Sequence, residues 1–569
     1  MRNETSSSSI GAGPSFAELY MPKLITVFRE GYGLAALRTD ALAGLTVAIV
    51  ALPLSMAIAI ASGTTPERGL YAAIVGGFFV SALGGSRFQI GGPAGAFIVL
   101  VASTVERHGM DGVLLATLMA GAFLLIAGFL RIGTYIKFIP YPVTVGFTAG
   151  IAVIIFASQI KDLFGLTLSG KEPGELIDKL DALAGAFGTY NPTAIALAAA
   201  TIGLIVGLKH LRPNWPGMLI AVVATGFVTW MFALPVETIG SRFGGLPSTI
   251  PLPHLPALSF DKIQAVLPDA IAFALLGAIE SLLSAVVADG MTGRRHRSNC
   301  ELVAQGVANM GSALCGGLCV TGTIARTATN VRAGARGPVA GMLHALFLLL
   351  FIVLAAPLAN NIPLAALAGI LVTVAWNMAE KHEFLTLLKS SRGDAVVLLA
   401  TFLLTIFRDL TEGIVVGFAL GAVLFIHRMA TATGIEEHAP LVQADRADTA
   451  NGDRTPYDPA LATDPAVVVY RLSGAFFFGT ASTVGAVLDR IADQRKVFVI
   501  DFSAVPFVDS TAANVIAGTA RKARRHGVRL FITGASPAVR RPLLLAGVRE
   551  PEVGYRPTID DAVNEAHTP

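Results

Sequence analysis

Apolar runs long enough to cross a bilayer recur from Asp40 to Ala430 with only short polar breaks, and past Ala430 the pattern stops. A spanning helix needs roughly 17–25 such residues, so residues 39–432 read as an all-α polytopic membrane domain. Its apolar centres lie near residues 50, 76, 98, 122, 150, 201, 225, 276, 308, 327, 348, 370, 402 and 421, which gives about fourteen segments. Residues 1–38 form a polar tail without the short apolar core and small-residue cleavage site of a secretory signal. The run Ala41–Ala61 is therefore expected to stay in the protein as its first span. Residues 433–464, rich in Asp, Ala, Thr and Pro, read as a linker. Within residues 465–569 the period changes: Ala466–Leu472, Lys496–Phe502 and Val528–Thr533 read as strands, Thr483–Asp493 and Thr511–Arg524 as helices. That alternation predicts a small α/β domain.

The longest polar breaks in the membrane part, Lys161–Asn191 and Leu234–Lys262, place the second near the midpoint of the spans. Seven spans on each side is an odd number, so a duplicated unit would insert upside down the second time, as an inverted repeat. Two matching anomalies support this. Ser86–Gly95 (SRFQIGGPAG) opens the third segment and Gly316–Arg326 (GGLCVTGTIAR) opens the tenth, each putting Gly and small residues where a helix should already be running. Broken helices in corresponding halves point to a binding site, because their first N–H groups and positive dipole ends face an anion. Close packing by small residues is the other reading.

Composition agrees with a membrane solvent: 53% of residues are hydrophobic and 14% charged. With the N-terminus in the cytoplasm, the inward loops collect Arg87, Arg131, Lys209, Arg212, Arg294, Arg295, Arg297, Arg332, Arg336 and Lys381, among others, and the outward loops receive about half as many basic residues. An even span count then returns the chain to the cytoplasm, which predicts a bacterial inner-membrane protein with both termini inside. Cys300, Cys315 and Cys319 fall in one apolar stretch, where packing explains them. No Gly-x4-Gly-Lys-Ser/Thr loop, His-Glu-x-x-His or Gly-x-Ser-x-Gly occurs. An ATP-driven pump, a zinc hydrolase and a serine hydrolase lose support, and no catalytic residue, metal, cofactor or nucleic-acid partner is expected.

Glu280 is the most informative single residue, since it lies in the apolar run Leu267–Ala288, near the bilayer midplane. Ionisable side chains at that depth are expensive and are functional more often than structural. Helical spacing places Gly277, Glu280 and Ser284 on one face. Arg326 follows Thr321-Gly322-Thr323 by about one turn; if the tenth helix starts at the midplane, this guanidinium lies inside the membrane and needs a counter-charge. Bringing a dianion into a cell at −100 mV costs about 4.6 kcal/mol, so uptake requires a co-transported cation or an exchanged anion. Ionised Glu280 is expected to occupy Arg326 and the helix ends without substrate, and protonated Glu280 to release them. That is proton symport.

The residues carry a resemblance across the chain from Asp40 onward. Ala51-Leu-Pro-Leu-Ser-Met-Ala, Gly92-Pro93-Ala94, Gly277-Ala-Ile-Glu280-Ser281-Leu-Leu-Ser284, Asn299-Cys-Glu301-Leu302, Gln305-Gly306, Asn309, Gly316-Gly317 and Thr321-Gly-Thr-Ile-Ala-Arg326-Thr-Ala-Thr-Asn330 resemble the SulP family, the solute carrier family 26 type anion transporters with a C-terminal STAS domain. Asp289-Gly-Met-Thr-Gly, Asn330-Val-Arg-Ala-Gly-Ala and Val374-Ala-Trp-Asn-Met look most like that family's enterobacterial C4-dicarboxylate carriers. The resemblance implies a seven-plus-seven inverted repeat, a core domain moving as an elevator against a gate domain, and a homodimer. It places the substrate beside Ser55, Met56, Pro93, Ala94, Gly95, Thr321, Gly322, Thr323, Ile324 and Arg326, with Glu280 and Ser284 in proton coupling. An Asp on the eighth helix marks the family's sodium-coupled bicarbonate carriers, and Glu here argues for protons.

Val499-Ile-Asp501-Phe-Ser-Ala-Val505-Pro-Phe-Val-Asp509-Ser510-Thr511 looks like the STAS strand, loop and helix start. Ser510 falls where related anti-sigma-factor antagonists are phosphorylated, although Ala512 and Ala513 stand where those proteins have Gly and Leu. The simpler reading is that Asp509 and Ser510 cap the helix, in a regulatory or partner-docking module. The expected function is secondary transport of a small anion such as sulfate or a C4-dicarboxylate. A sodium-coupled bicarbonate carrier and a non-transporting sensor signalling through the tail are the alternatives.

Overall fold

The computed structural model describes residues 15–567 except 137–138, 171, 174–175, 213–214, 409, 433–466, 475 and 477–496. Every one of the fourteen apolar centres falls in a helix. Among the described residues, seven helices are long and apolar enough to span by themselves, including Leu34–Ala61, Tyr141–Phe164, Pro192–Leu211 and Phe260–Thr292. Two compact units emerge. The first comprises Met1–Ile136, Thr148–Glu380 and Thr405–Thr411, the second Lys137–Phe147, Lys381–Leu404 and Glu412–Pro569.

In the first unit the first span, Leu34–Ala61, packs on the eleventh, Val339–Ala355. Contact between them depends on Gly44, where an added Cβ would sit 2.4 Å from the Ala340 carbonyl. The second span is Pro66–Tyr71, a π-turn at Ala72–Gly76 and Gly77–Leu83. A π-turn inserts one residue into the helical ladder and occurs often at functional sites. The third and fourth spans share one long helix, Ile98–Phe129, broken at Gly109, where φ is 67° and ψ −174°; only glycine takes that conformation without strain. The fourth span meets the ninth, Ser298–Leu314, through glycines: a Cβ on Gly121 would approach the Gly306 carbonyl to 2.7 Å, and one on Gly306 the Gly121 carbonyl to 2.7 Å. In lipid, where apolar burial drives no association, such close backbone approach holds helices together.

The eighth span, Phe260–Thr292, starts at an N-cap, Ser259, whose side chain accepts from Lys262 N. Near its start Asp269 takes the Arg107 guanidinium at 2.6 Å, tying it to the far end of the third helix. The tenth segment holds only a nine-residue helix, Ile324–Arg332. The twelfth span is Leu364–Met378.

The thirteenth and fourteenth spans, Arg392–Phe407 and Leu410–Ala432, belong to the second unit except for Thr405–Thr411. The C-terminal domain has a four-stranded parallel sheet, β3 (Val467–Ser473), β4 (Val497–Ala504), β5 (Arg529–Thr533) and β6 (Gly554–Arg556), in that order. β4 is apolar almost throughout because both its faces are covered. Phe498, Ile500 and Phe502 meet Ile516 and Ala520 of the helix Ser510–Arg525, whereas Val497 and Val499 join Phe531 and Ala562 of the helix Ile559–His567. The strands predicted at Ala466–Leu472, Lys496–Phe502 and Val528–Thr533 and the helix at Thr511–Arg524 agree with these bounds to within about two residues. The predicted helix Thr483–Asp493 and the linker beyond 432 lie outside the described residues.

Candidate anion site

Both anomalous segments are extended where a continuous helix would run. Gly91–Gly92 (β1) and Thr321–Gly322 (β2) pair antiparallel, Gly91 opposite Gly322 and Gly92 opposite Thr321, and Thr323 N donates to the Ile90 carbonyl at 3.0 Å. This two-rung ladder answers a constraint of lipid: non-helical backbone at membrane depth must find its hydrogen bonds inside the protein. Only small residues allow it. A Cβ on Gly91 would fall 2.6 Å from the Val80 side chain, and one on Gly76 2.4 Å from Val320. Past the ladder the third segment becomes helical at Gly95 and the tenth at Ile324. The first N–H groups of each half-helix have no intrahelical partner and carry the positive end of its dipole.

Neighbouring spans hold the ladder with side chains. Asn309 of the ninth span grips the Val320 peptide at both ends: its Nδ2 donates to the Val320 carbonyl at 2.8 Å, and its Oδ1 accepts from Val320 N at 2.8 Å. Ser312 adds a bond to the Leu318 carbonyl at 2.6 Å. On the other strand, Gln89 Nε2 donates to the Ser281 carbonyl and hydroxyl at 3.0 and 2.7 Å. Ile90 N donates to the Thr327 hydroxyl at 3.1 Å, and Asn330 Nδ2 to the Phe88 carbonyl at 2.9 Å. Truncating Asn309 to Ala strands the N–H and C=O of Val320 in the membrane interior, at about 1–3 kcal/mol for each lost partner. A melting-temperature drop of several degrees in detergent, together with weaker anion binding, is the expected result.

Of the sequence-predicted residues, Pro93, Ala94, Thr321, Gly322, Thr323 and Arg326 converge on this crossing, all buried, and Gly95 and Ile324 stand at its half-open side. Ser55 joins them from the first span and Met56 packs beside it with no exposed surface. Arg326 is 1% exposed; its Nη2 donates to Ser55 Oγ at 3.1 Å and to the Pro93 carbonyl at 3.2 Å. Its Nε and Nη1 have no protein partner. The eighth span presents the expected face: the Gly277 carbonyl accepts from Thr321 Oγ1 at 3.1 Å and Ser284 Oγ donates to Thr327 Oγ1 at 3.0 Å. Glu280 lies on that face between them and is 8% exposed.

One expectation is corrected. Glu280 does not occupy Arg326; no ion pair joins them, because the guanidinium is turned toward the first span and the Pro93 carbonyl. Gly92 makes room for that pose, since a Cβ there would lie 2.0 Å from Arg326 Nη1. Gly92→Ala is therefore expected to displace the guanidinium and cut uptake about tenfold or more, each ~1.4 kcal/mol of lost anion binding being tenfold, while expression and monodispersity stay at wild-type level.

Sequence reasoning missed the structural work of Gln89, Asn309 and Thr327, and the wall facing Gly95. There Ile155 of the fifth span and Met378 of the twelfth stand 3.0 and 3.6 Å from the position a Gly95 Cβ would take. Asn309 and Gln89 were visible as polar residues in apolar runs, a signal that marks buried partners; Ile155 and Met378 carried none. In the C-terminal domain Asp509 Oδ1 accepts from Ala512 N at 2.7 Å, so Asp509 is the helix N-cap, and Ser510 is 8% exposed. Among the described residues no cluster of His, Cys, Asp or Glu could hold a metal ion.

The sulfate permease family profile matches residues 37–401 and the STAS domain profile residues 458–566. The putative sulfate transporter YvdB of Bacillus subtilis is 39% identical over 518 residues, covering 89% of this chain and 93% of its own length. The transmembrane domain of a cyanobacterial bicarbonate transporter, BicA, aligns with a TM-score of 0.61 at 33% identity over 67% of this chain and 98% of that one. Murine Slc26a9, an anion transporter solved in the inward-facing state, shares the fold at a TM-score of 0.67 and 18% identity over 99% of this chain and 97% of its own. The chain accordingly belongs to the sulfate permease family: it is a multi-span membrane anion transporter, not an enzyme, with a STAS domain at its C-terminal end.

Proposed function

We propose that the protein is a proton-coupled carrier for uptake or exchange of a small anion, sulfate or a C4-dicarboxylate, in a bacterial inner membrane, with both termini cytoplasmic. The observation that carries this is the crossing of β1 and β2, which sets two half-helix N-termini and a buried arginine at one point midway through the apolar spans. In this reading the anion sits against Gly95, Ile324 and the neighbouring N–H groups, with Pro93, Ala94 and Thr321–Thr323 shaping the socket. Arg326 supplies full positive charge from behind, and Ser55 steers it. Glu280 carries the coupled proton, and its influence reaches the anion through Gly277–Thr321 and Ser284–Thr327 rather than through a direct pair with Arg326. The core moves as an elevator past the fifth and twelfth spans in a homodimer. The STAS domain is a regulatory or docking module, with Asp509 as a cap and Ser510 its neighbour.

A second reading, sodium-driven bicarbonate uptake, draws support from the identity to the bicarbonate transporter BicA. Reconstitution into liposomes with radiolabelled sulfate, succinate or bicarbonate separates the readings. Accumulation driven by an inward proton gradient and unchanged when choline replaces sodium supports the first. Sodium dependence replaces it with the second.

A further inference from the structure

Away from the crossing, a half-open cavity of about 340 Å³ lies between the helix Lys23–Arg29 and the start of the first span, lined by Val27, Glu30, Tyr32, Thr39, Arg87 and Arg336 among others. Arg87 is 9% exposed. Its two terminal nitrogens bond the Glu30 carboxylate, and its buried Nε has no protein partner. The Arg336 side chain is exposed and forms no ion pair with any described residue. Asp40 beside it is already engaged, accepting from the backbone N–H groups of Arg336 and Gly337 and from the Tyr32 hydroxyl at 2.5, 3.3 and 2.7 Å.

The surroundings are crowded with cations. Arg297 reaches the Met21 carbonyl and Thr26 Oγ1 at 2.9 and 3.1 Å. Lys23 is pushed down to about 8, first by burial and then by the charges of Arg297 and Arg87. The hydrogen bond from Arg87, with help from Arg294 and Lys23, holds the Glu30 carboxyl below its usual range. Against Glu30, Asp40 and Asp289 stand Lys23, Arg87, Arg294, Arg297 and Arg336, so bases outnumber acids around the cavity. Its rim is partly apolar: Val27, Ala35 and Ala36 line it, and the exposed Phe28 packs edge-on against the lining residue Tyr32, at the end of the first span where lipid headgroups lie.

We propose that this cavity binds a phosphate group, that of an anionic phospholipid, held by Arg336 with Arg87 behind it, with the acyl chains laid over Val27, Phe28, Ala35 and Ala36. Basic pockets at the membrane surface select anionic headgroups in this way, and the apolar rim favours a lipid over free phosphate. Arg87 lies four residues before β1 and Arg336 shortly after the tenth half-helix, so the lipid ties together the loops that lead into and out of the two broken segments.

The test uses the full-length protein in detergent, titrated with phosphatidylglycerol, phosphatidylcholine or inorganic phosphate, with bound lipid counted by native mass spectrometry and stability by thermal melting. Wild type is expected to bind phosphatidylglycerol over phosphatidylcholine and to melt higher with it. Arg336→Gln should weaken that binding roughly five- to tenfold, whereas Arg332→Gln, an exposed arginine at the end of the tenth half-helix and outside the cavity, should change it less than about twofold. Equal phosphatidylglycerol binding by wild type and Arg336→Gln overturns the site. Stabilisation by inorganic phosphate alone, sensitive to Arg336→Gln, keeps the phosphate site but rejects the lipid.

Discussion

Arg326→Ala is expected to lower uptake efficiency about a hundredfold or more in proteoliposomes while leaving a folded, monodisperse protein. A charge-assisted partner removed from a buried site costs about 2–5 kcal/mol, and each ~1.4 kcal/mol is tenfold. Arg326 qualifies because it is 1% exposed and points its Nη2 at Ser55 Oγ and the Pro93 carbonyl, immediately before the third half-helix. Lysine should rescue only partly: it keeps the charge but replaces the planar guanidinium by a compact ammonium and removes Nε and Nη1, the donors not used by the protein. Initial-rate uptake of radiolabelled anion across a concentration series checks this. An Arg326→Ala protein with wild-type KM and Vmax would remove arginine from the site and leave the half-helix termini to hold the anion alone.

Glu280→Gln separates coupling from transport. Glutamine keeps the shape and hydrogen-bonding reach of a protonated glutamate but cannot exchange a proton. A pH gradient should then fail to drive accumulation, whereas exchange of internal for external anion continues. The effect is large because a dianion entering against −100 mV faces about 4.6 kcal/mol, on the order of a thousandfold in concentration ratio. The wild-type rate should rise as the external side is acidified and the Glu280→Gln rate should stay level. Accumulation by Glu280→Gln equal to wild type under the same gradient would place the coupling elsewhere.

The fold was legible to the extent that it follows from spacing. Fourteen apolar centres and the strand–helix alternation after residue 465 depend on local hydrophobic period, and each described one became the expected element. The two broken segments were legible because glycine and hydroxyl residues interrupted an apolar run. What these segments do to each other was not. Pairing of Gly91 with Gly322 is a contact between distant parts of the chain, and no local pattern encodes it. The same limit produced the mistaken Glu280–Arg326 pair. Depth in the bilayer put both residues at one level, but azimuth decides contact, and azimuth is set by Gly92 and Ser55. Gly277 and Ser284 were placed correctly since i, i+3 and i+4 spacing fixes a helix face by itself.

The antiparallel rungs join residues about 230 positions apart. Non-local contacts form late, since loop closure must come before they repay it. A ribosome that has delivered the first seven spans has made one tip of the socket and none of its counterpart, so the nascent chain holds glycine-rich backbone in lipid with its amides unanswered. Biogenesis therefore has a vulnerable interval that ends only when the tenth segment arrives, and stalled or truncated chains should be preferred substrates for membrane quality-control proteases.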